Sequence, residues 1–308
     1  MKYSKIVLAG GNGYLGHVLA DYYKDKADEI IILSRKPQSQ YQNIKTLLWD
    51  GRTAGGWVND LEGTDLLINL CGKNVNCRYT KANREEIIAS RVVPTKLLGD
   101  VINKMEHPPK LWINLASATI YRHAEDRPQD EETGEIGYGF SIDVCKKWEE
   151  TFFETNTPYT RKIALRMGIV LGMSDSAFPR LLNLVKFGMG GKQGNGQQYM
   201  SWVHEQDAAK CTEFLLEHEE LSGVINCTAP GPVKNTEFMA AIRRAWGMPF
   251  GLPAPTWLLT IGAAIIGTET ELILKSRWVL PKRLTDAGYV FSFGEAAYAI
   301  DDLLSTSK

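Results

Sequence analysis

KIVLAGGNGYLG, Lys5–Gly16, is the stretch on which the fold turns. Its first half is a short β-branched and aliphatic run, the composition of a buried strand. Its second half spaces Gly10, Gly13 and Gly16 three apart at the mouth of a helical pattern that continues from Tyr14 to Lys24. Each glycine has a separate reason to be there. Gly10 takes a turn closed to other residues, Gly13 lets a pyrophosphate approach the backbone, and Gly16 lets helix and strand pack closely. The first N–H groups of the helix, those of Tyr14 and Leu15 among them, have no partner within the helix and face the phosphates. A dinucleotide is the ligand this arrangement suits best, although glycine turns of the same kind also serve folds that bind a flavin or a methyl donor.

Working outward, short apolar runs alternate with longer helical patterns: EIIIL, TLLW and DLLINL, then Ala82–Met105, LWINLA, Phe140–Glu154 and KIALRMG. This alternation builds a parallel sheet with helices on both faces, and the strands are apolar throughout because neither face meets water. The expected fold class is therefore α/β, a doubly wound Rossmann sheet. We expect the dinucleotide domain over residues 1–172, with its last strand near 224–228 in GVINCTA. A smaller, mostly helical substrate lobe is expected over 173–308, beginning in the Gly-rich GMGGKQGNGQQ.

The second strand ends as IILSRKP, where an NAD site places a carboxylate against the ribose 2′-hydroxyl. Here stand Ser34, Arg35 and Lys36. Arg35 offers a planar fork to a 2′-phosphate and Ser34 a hydroxyl donor, which favours NADP(H); a solvated basic turn is the plain alternative.

At 308 residues, 44% hydrophobic and 23% charged, the chain can bury one large core and a smaller one. A net charge of -1 with no basic run excludes nucleic acid and anionic membrane as expected partners and leaves a small molecule. Five scattered cysteines, without Cys-x-x-Cys, suggest neither disulfides nor a metal site, and a reducing cytoplasm is expected. No exported leader is expected from KYSKIVLAG. WLLTIGAAIIG, from Trp257, spans about half of the ~20 residues a bilayer needs, so a packed helix is expected.

These residues resemble the extended short-chain dehydrogenase/reductases, which include nucleotide-sugar epimerases and dehydratases. GGNGYLG resembles their glycine loop, NLCG (Asn69–Gly72) the segment after the fourth strand, and SATIY (Ser117–Tyr121) the strand end that carries a catalytic serine. LRMGIVLG resembles the sixth strand, and GNGQQYMSWVHEQD the opening of the substrate lobe. GKN, SRVVPT, KKWE and SRWVLPKRLTDAGYVF are most similar to an atypical subgroup known as epimerase family proteins, defined by homology and without a settled substrate.

The resemblance implies that Leu70, Cys71 and Gly72 lie beside the ribose, Val170 near the nicotinamide and Asp50 near the adenine. It puts Arg91 where many relatives carry Asn. A cation there can pair with the pyrophosphate, with Glu86 orienting it or touching ribose; a surface ion pair is the alternative. It also implies that Phe140 and Val144 replace the Tyr-x-x-x-Lys pair, in which tyrosine trades a proton with the substrate and lysine lowers its pKa. Ser117 remains, and Tyr121 is the best substitute acid. Tyr138 and Lys147 stand off the required positions, and Cys145 reads as packing. His204, beside a helix start, reads as structural. Trp257, Arg277 and Arg283 fall in the lobe that would close over a substrate; solvated cations and packing are their default reading, with anion contacts and a stacking face as the alternative. Two functions follow, an NADP(H)-dependent epimerase or reductase of a small polar substrate such as a nucleotide sugar, or an NADP(H)-binding sensor or scaffold without turnover. A non-redox isomerase or lyase is a weaker third.

Overall fold

The computed structural model describes residues 3–36, 40–266 and 269–305. The strands are β1 (Tyr3–Ala9), β2 (Ala27–Ser34), β3 (Ile44–Leu48), β4 (Leu66–Asn69), β5 (Leu111–Ser117), β6 (Arg161–Met167), β7 (Ile169–Leu171), β8 (Tyr199–Met200), β9 (Trp202–His204), β10 (Gly223–Cys227) and β11 (Val233–Lys234). The helices are α1 (Tyr14–Tyr23), α2 (Lys81–Ile102), α3 (Phe140–Glu154), α4 (Phe178–Lys186), α5 (Glu205–Glu217), α6 (Asn235–Trp246), α7 (Thr256–Ile266), α8 (Glu271–Leu274), α9 (Lys282–Asp286) and α10 (Ala296–Ser305).

Seven strands form one sheet in the order β10-β6-β5-β4-β1-β2-β3, every pairing parallel. The order reverses beside β1, and the crevice at such a reversal is where α/β sheets bind ligands. Ile6 and Leu8 of β1 pack with Leu19 and Tyr23 of α1 and with Cys211 and Leu215 of α5. Val7 and Ala9 point the other way, into a layer with Leu98 and Ile102 of α2 and Phe152 of α3. Two covered faces are why each strand is a continuous apolar run.

A third core, built on Phe178, Trp202, Phe238 and Ile300, joins α4, α6 and α10 beyond the sheet edge. Several elements depart from expectation. The helix expected to end at Met105 stops at Ile102, and the strand TLLW stops at Leu48, where Trp49 N–H turns to Ser34 O at 2.8 Å. Helix α4 precedes the Gly-rich loop, and the short pairs β7–β9 and β8–β11 lie outside the main sheet. WLLTIGAAIIG is helical to Ile266, its Gly267 lying outside the described residues, but it is incompletely packed: Trp257, Leu258 and Ile261 are exposed. Among the described residues no helix is long and apolar enough to cross a membrane.

Candidate cofactor site

The glycine loop closes the C-terminal end of β1. Gly10 has φ +74°, and a Cβ on it would lie 2.8 Å from Cys71 Sγ. A Cβ on Gly16 would lie 2.0 Å from the carbonyl oxygen of Gly11, so helix α1 is seated directly on the turn. Gly13, the N-cap of α1, differs: a Cβ there would meet nothing within 4 Å. The space it faces belongs to a cavity of about 1110 Å³, lined by Gly10, Gly13, Ser34, Arg35, Asp50, Leu70, Cys71, Gly72 and Glu86 among the expected residues. Its size and its glycine floor fit an extended dinucleotide phosphate better than a compact ligand.

The cavity is basic at its β2 end. Arg35 and Lys36 follow β2, and Arg52 joins them from the turn after β3. No carboxylate follows β2. Ser34 Oγ accepts the Lys36 N–H at 3.1 Å, so the hydroxyl expected to donate to a phosphate also shapes its own turn. Asp50 accepts N–H bonds from Arg52 (2.7 Å) and Thr53 (2.9 Å) and the Thr53 hydroxyl at 2.8 Å. The Arg52 N–H leads these bonds in holding the carboxyl below its usual range. The carboxylate thereby pins the loop that presents Arg52. Arg52 escaped the sequence reading because only the return of β3 beside β2 brings it to Arg35.

The opposite wall is NLCG. Asn69 is fully buried, donating to Asn114 Oδ1 (2.7 Å) and Thr95 Oγ1 (2.9 Å) and accepting the Cys71 N–H at 3.1 Å. Trp148 Nε1 completes the network on Thr95 at 3.0 Å. This polar knot ties β4 to α2 and α3 and fixes the backbone of Cys71 and Gly72. Burial pushes the Cys71 thiol up to about 12, so it lines the cavity as a small apolar group.

Glu86 and Arg91, expected as partners, are not. Glu86 pairs with Lys73 on the rim. Arg91 Nη1 donates to the carbonyls of Ile87 (3.0 Å) and Lys73 (3.2 Å), and its guanidinium lies over the Trp148 ring at 5.1 Å. Nε and Nη2 face Gly72, where a Cβ would come within 3.0 Å of Nη2. Burial lowers the Arg91 pKa, and among the described residues no carboxylate pairs with it.

Of the remaining expected residues, Tyr14 bonds Glu205, Leu15 packs on the core and Val170 pairs with Val203 in β7–β9. Ser117 ends β5, its Oγ accepting the Thr119 N–H at 3.2 Å. Tyr121 does not line the cavity. It is buried, donates to Asn226 Oδ1 at 3.0 Å and lies beneath the Arg166 guanidinium, 4.9 Å from its ring, while Arg166 is clamped by Glu149 at 2.8 and 2.7 Å. Phe140 begins α3 with its ring edge-on to Tyr79 at 4.8 Å; Val144 is buried, and Tyr138 and Lys147 are exposed. Tyr79, whose hydroxyl lies 3.3 Å from Ser141 Oγ, is a half-buried hydroxyl that sequence reasoning passed over. His204 Nδ1 accepts the Gln206 N–H as the N-cap of α5, and its ring stacks on Phe293. Arg283 caps the carbonyls of Ser222 (2.7 Å) and Val224 (2.6 Å), so it serves main chain and not the anion expected. Trp257 is solvent-exposed.

Comparison with known proteins identifies the family. The family model for the NAD dependent epimerase/dehydratase family matches residues 6–228, and a domain of unknown function (DUF1731) matches 254–303. The chain is 30% identical to the epimerase family protein ML0860 of Mycobacterium leprae over 94% of both chains. It is 29% identical to YfhF of Bacillus subtilis, covering 98% of this chain and 99% of that one. A crystal structure of human epimerase family protein SDR39U1 (isoform 2) with NADPH superposes with a TM-score of 0.86 at 27% identity, over 98% and 99% of the two chains. The chain therefore belongs to the NAD dependent epimerase/dehydratase family, in its atypical, epimerase-family-protein branch, with a nicotinamide dinucleotide as its cofactor class.

Proposed function

We propose that the chain binds NADP(H) in preference to NAD(H), and that it is an epimerase or reductase of a small polar substrate, a nucleotide sugar being the leading candidate, that works without the Tyr-x-x-x-Lys pair. The observation that carries the cofactor reading is the basic rim of Arg35, Lys36 and Arg52 with no carboxylate after β2. Planar guanidinium groups suit a 2′-phosphate, and the NADPH in the human relative's structure supports the same reading. Gly10, Gly13 and the N–H groups of Tyr14 and Leu15 would take the pyrophosphate, Leu70 to Gly72 and Val170 the nicotinamide half. Gly72 lies against the unpaired edge of Arg91, which supports a phosphate or ribose oxygen as that edge's partner. Bound NADPH would supply a hydride; the chain would supply position and the proton.

In this reading residues 1–172, with β10, hold the cofactor, and most of 173–308 covers the substrate. Ser117 positions substrate oxygen. Phe140 and Val144 carry no ionisable group, so ordinary carbonyl and nucleotide-sugar panels should show little reductase activity, the loss of a general acid costing ~10²- to 10⁴-fold. A specific observation favours the alternative of a non-catalytic NADP(H)-binding sensor or scaffold: the Tyr121 hydroxyl is already engaged by Asn226.

The deciding experiment is mass spectrometry of nucleotides released from purified protein, followed by hydride exchange from labelled NADPH beside Phe140→Tyr/Val144→Lys. Co-purified NADP(H) supports the cofactor reading, and NAD(H) alone overturns it. Exchange confined to the double variant favours the sensor; exchange in the wild type favours the enzyme.

A further inference from the structure

The end of α4, the loop after it, the end of α6 and helix α7 carry a face that is both apolar and basic. Phe187, Met189, Trp246, Phe250 and Leu252 are exposed there, Phe187 by 78%. Helix α7 adds Trp257, Leu258 and Ile261, with Trp257 65% exposed. These three stand at i, i+1 and i+4, on one side of the helix.

Close backbone contacts join the segments. Gly188, at φ +74°, makes room for the Phe250 ring, which a Cβ there would approach to 3.2 Å. Main-chain bonds continue the seam: Leu252 N–H to Gly188 O at 2.8 Å, Gly191 N–H to Leu252 O at 3.1 Å and Gly194 N–H to Ala254 O at 2.9 Å. Lys186 Nζ lies 4.5 Å from the centre of the Trp246 ring, joining α4 to α6. Scattered exposed apolar residues are ordinary, but so many large ones on joined segments mark an interaction surface.

The charge is as uneven as the hydrophobicity. Residues 176–200 contain Arg180, Lys186 and Lys192, residues 238–268 contain Arg243 and Arg244, and neither stretch contains an aspartate or glutamate. In a chain with 36 acidic and 35 basic residues, the net charge of -1 conceals this local excess and gives no ground for excluding an anionic membrane. Arg243 and Arg244 line a cleft of about 450 Å³ with Gly247, Met248 and Pro249, a stretch that the exposed Trp246 and Phe250 border in sequence.

The occupant follows from the two properties together. A second copy meeting this face by twofold symmetry would set these cations against themselves. A bilayer surface offers both complements, anionic headgroups for the cations and an acyl boundary for the rings. Helix α7, eleven residues long, is too short to span a bilayer but can lie in its plane.

We propose that this face docks the protein on an anionic lipid bilayer, with Phe187, Phe250 and Trp257 entering the headgroup boundary and the cations of α4 and α6 facing lipid phosphate. This docking is independent of the cofactor and substrate reading.

The test is co-sedimentation of the full chain with sucrose-loaded vesicles, of phosphatidylcholine alone and of phosphatidylcholine with about 30% phosphatidylserine. Binding is expected only to the second, and about 0.5 M NaCl should weaken it ~10-fold or more. Lys192→Gln/Arg244→Gln should weaken it ~10- to 30-fold and Trp257→Ser ~5- to 50-fold, each with a nearly unchanged melting temperature because these side chains face water. Lipids brominated in the acyl chain should quench tryptophan fluorescence, a reading that needs no variant. No binding to the anionic vesicles, equal binding to the neutral ones, binding without quenching, or wild-type affinity in either variant would overturn the proposal. If vesicles are not bound while sedimentation equilibrium shows self-association that Trp257→Ser abolishes, the face belongs to a second copy.

Discussion

Replacing Gly13 and Gly16 by alanine, one at a time, separates what the glycine loop does for the ligand from what it does for the fold. A Cβ on Gly16 would sit 2.0 Å from the Gly11 carbonyl oxygen and 2.6 Å from Gly11 Cα, so helix or turn must move by about 1.4 Å to restore ordinary contact. The obstacle is backbone on both sides. Overpacking of this kind costs roughly 3 kcal/mol, which lowers the melting temperature by roughly 5–10 °C. Gly13 has φ -95° and ψ 175°, a conformation open to alanine, and a Cβ there meets nothing within 4 Å. Alanine is a poorer N-cap than glycine by about 0.5–1 kcal/mol, offset by a similar entropic gain through the unfolded chain. The nucleotide-free Gly13→Ala protein should therefore melt within a few degrees of wild type, yet bind NADPH ~10- to 100-fold more weakly, since a methyl group would hold the pyrophosphate off the N–H groups of α1. Thermal denaturation without nucleotide and NADPH fluorescence titration read the two effects independently. Wild-type affinity in Gly13→Ala, or a melting loss matching that of Gly16→Ala, would refute the assignment of that open space to the cofactor.

Three further outcomes are expected. Arg35→Ala should weaken NADPH by ~10-fold or more and NADH by less than about threefold, with Arg52→Ala acting in the same direction; equal wild-type affinity for the two nucleotides would refute it. Glu149→Gln strips the buried Arg166 guanidinium of its two-pronged partner and should destabilise by about 3–5 kcal/mol in urea unfolding, whereas Glu149→Leu/Arg166→Leu should recover much of that loss. Burial depresses His204 below the ordinary 6.5, so the unfolded chain binds the extra proton and stability should fall as pH drops through that value; His204→Asn, which keeps a helix cap, should flatten the slope, and an unchanged slope would assign the pH dependence elsewhere.

The parts of the fold legible from sequence are those in which one segment carries its whole instruction. Ile6 and Leu8 face one helical layer and Val7 and Ala9 the other, so β1 had to be apolar at every position and was recognisable as such. Gly10, Gly13 and Gly16 run from the end of β1 into the first turn of α1, and it is that place between strand and helix, more than their spacing, that made the loop readable. Elements of two or three residues, such as β8 and β11, are too short to show a period, and α4 is masked by the Gly-rich loop that follows it. Met105 was read into α2 because helical periodicity runs on past the last hydrogen-bonded turn.

The candidate chemistry is harder to read because its partners lie far apart in the chain. Tyr121 follows Ser117 closely enough to suggest a shared pocket, yet its direction is set by Asn226, 105 residues away, and by Arg166, neither of which sequence proximity can report. Glu86 shares a helix with Arg91, but Lys73 reaches it first. Lys275 drew no attention in SRWVLPKRL's approach because lysine is solvated by default, and only the strap between Gln129 and Ser201 turns it inward. A loop that holds a cofactor is specified by neighbours in sequence. The surroundings of a residue at the end of β5 are specified by whatever the fold presses against it, and there that is a tail joined to Thr119 across 156 residues. Within the loop the two roles divide by residue: Gly13→Ala should alter cofactor binding with the fold intact, whereas Gly16→Ala should alter the fold itself.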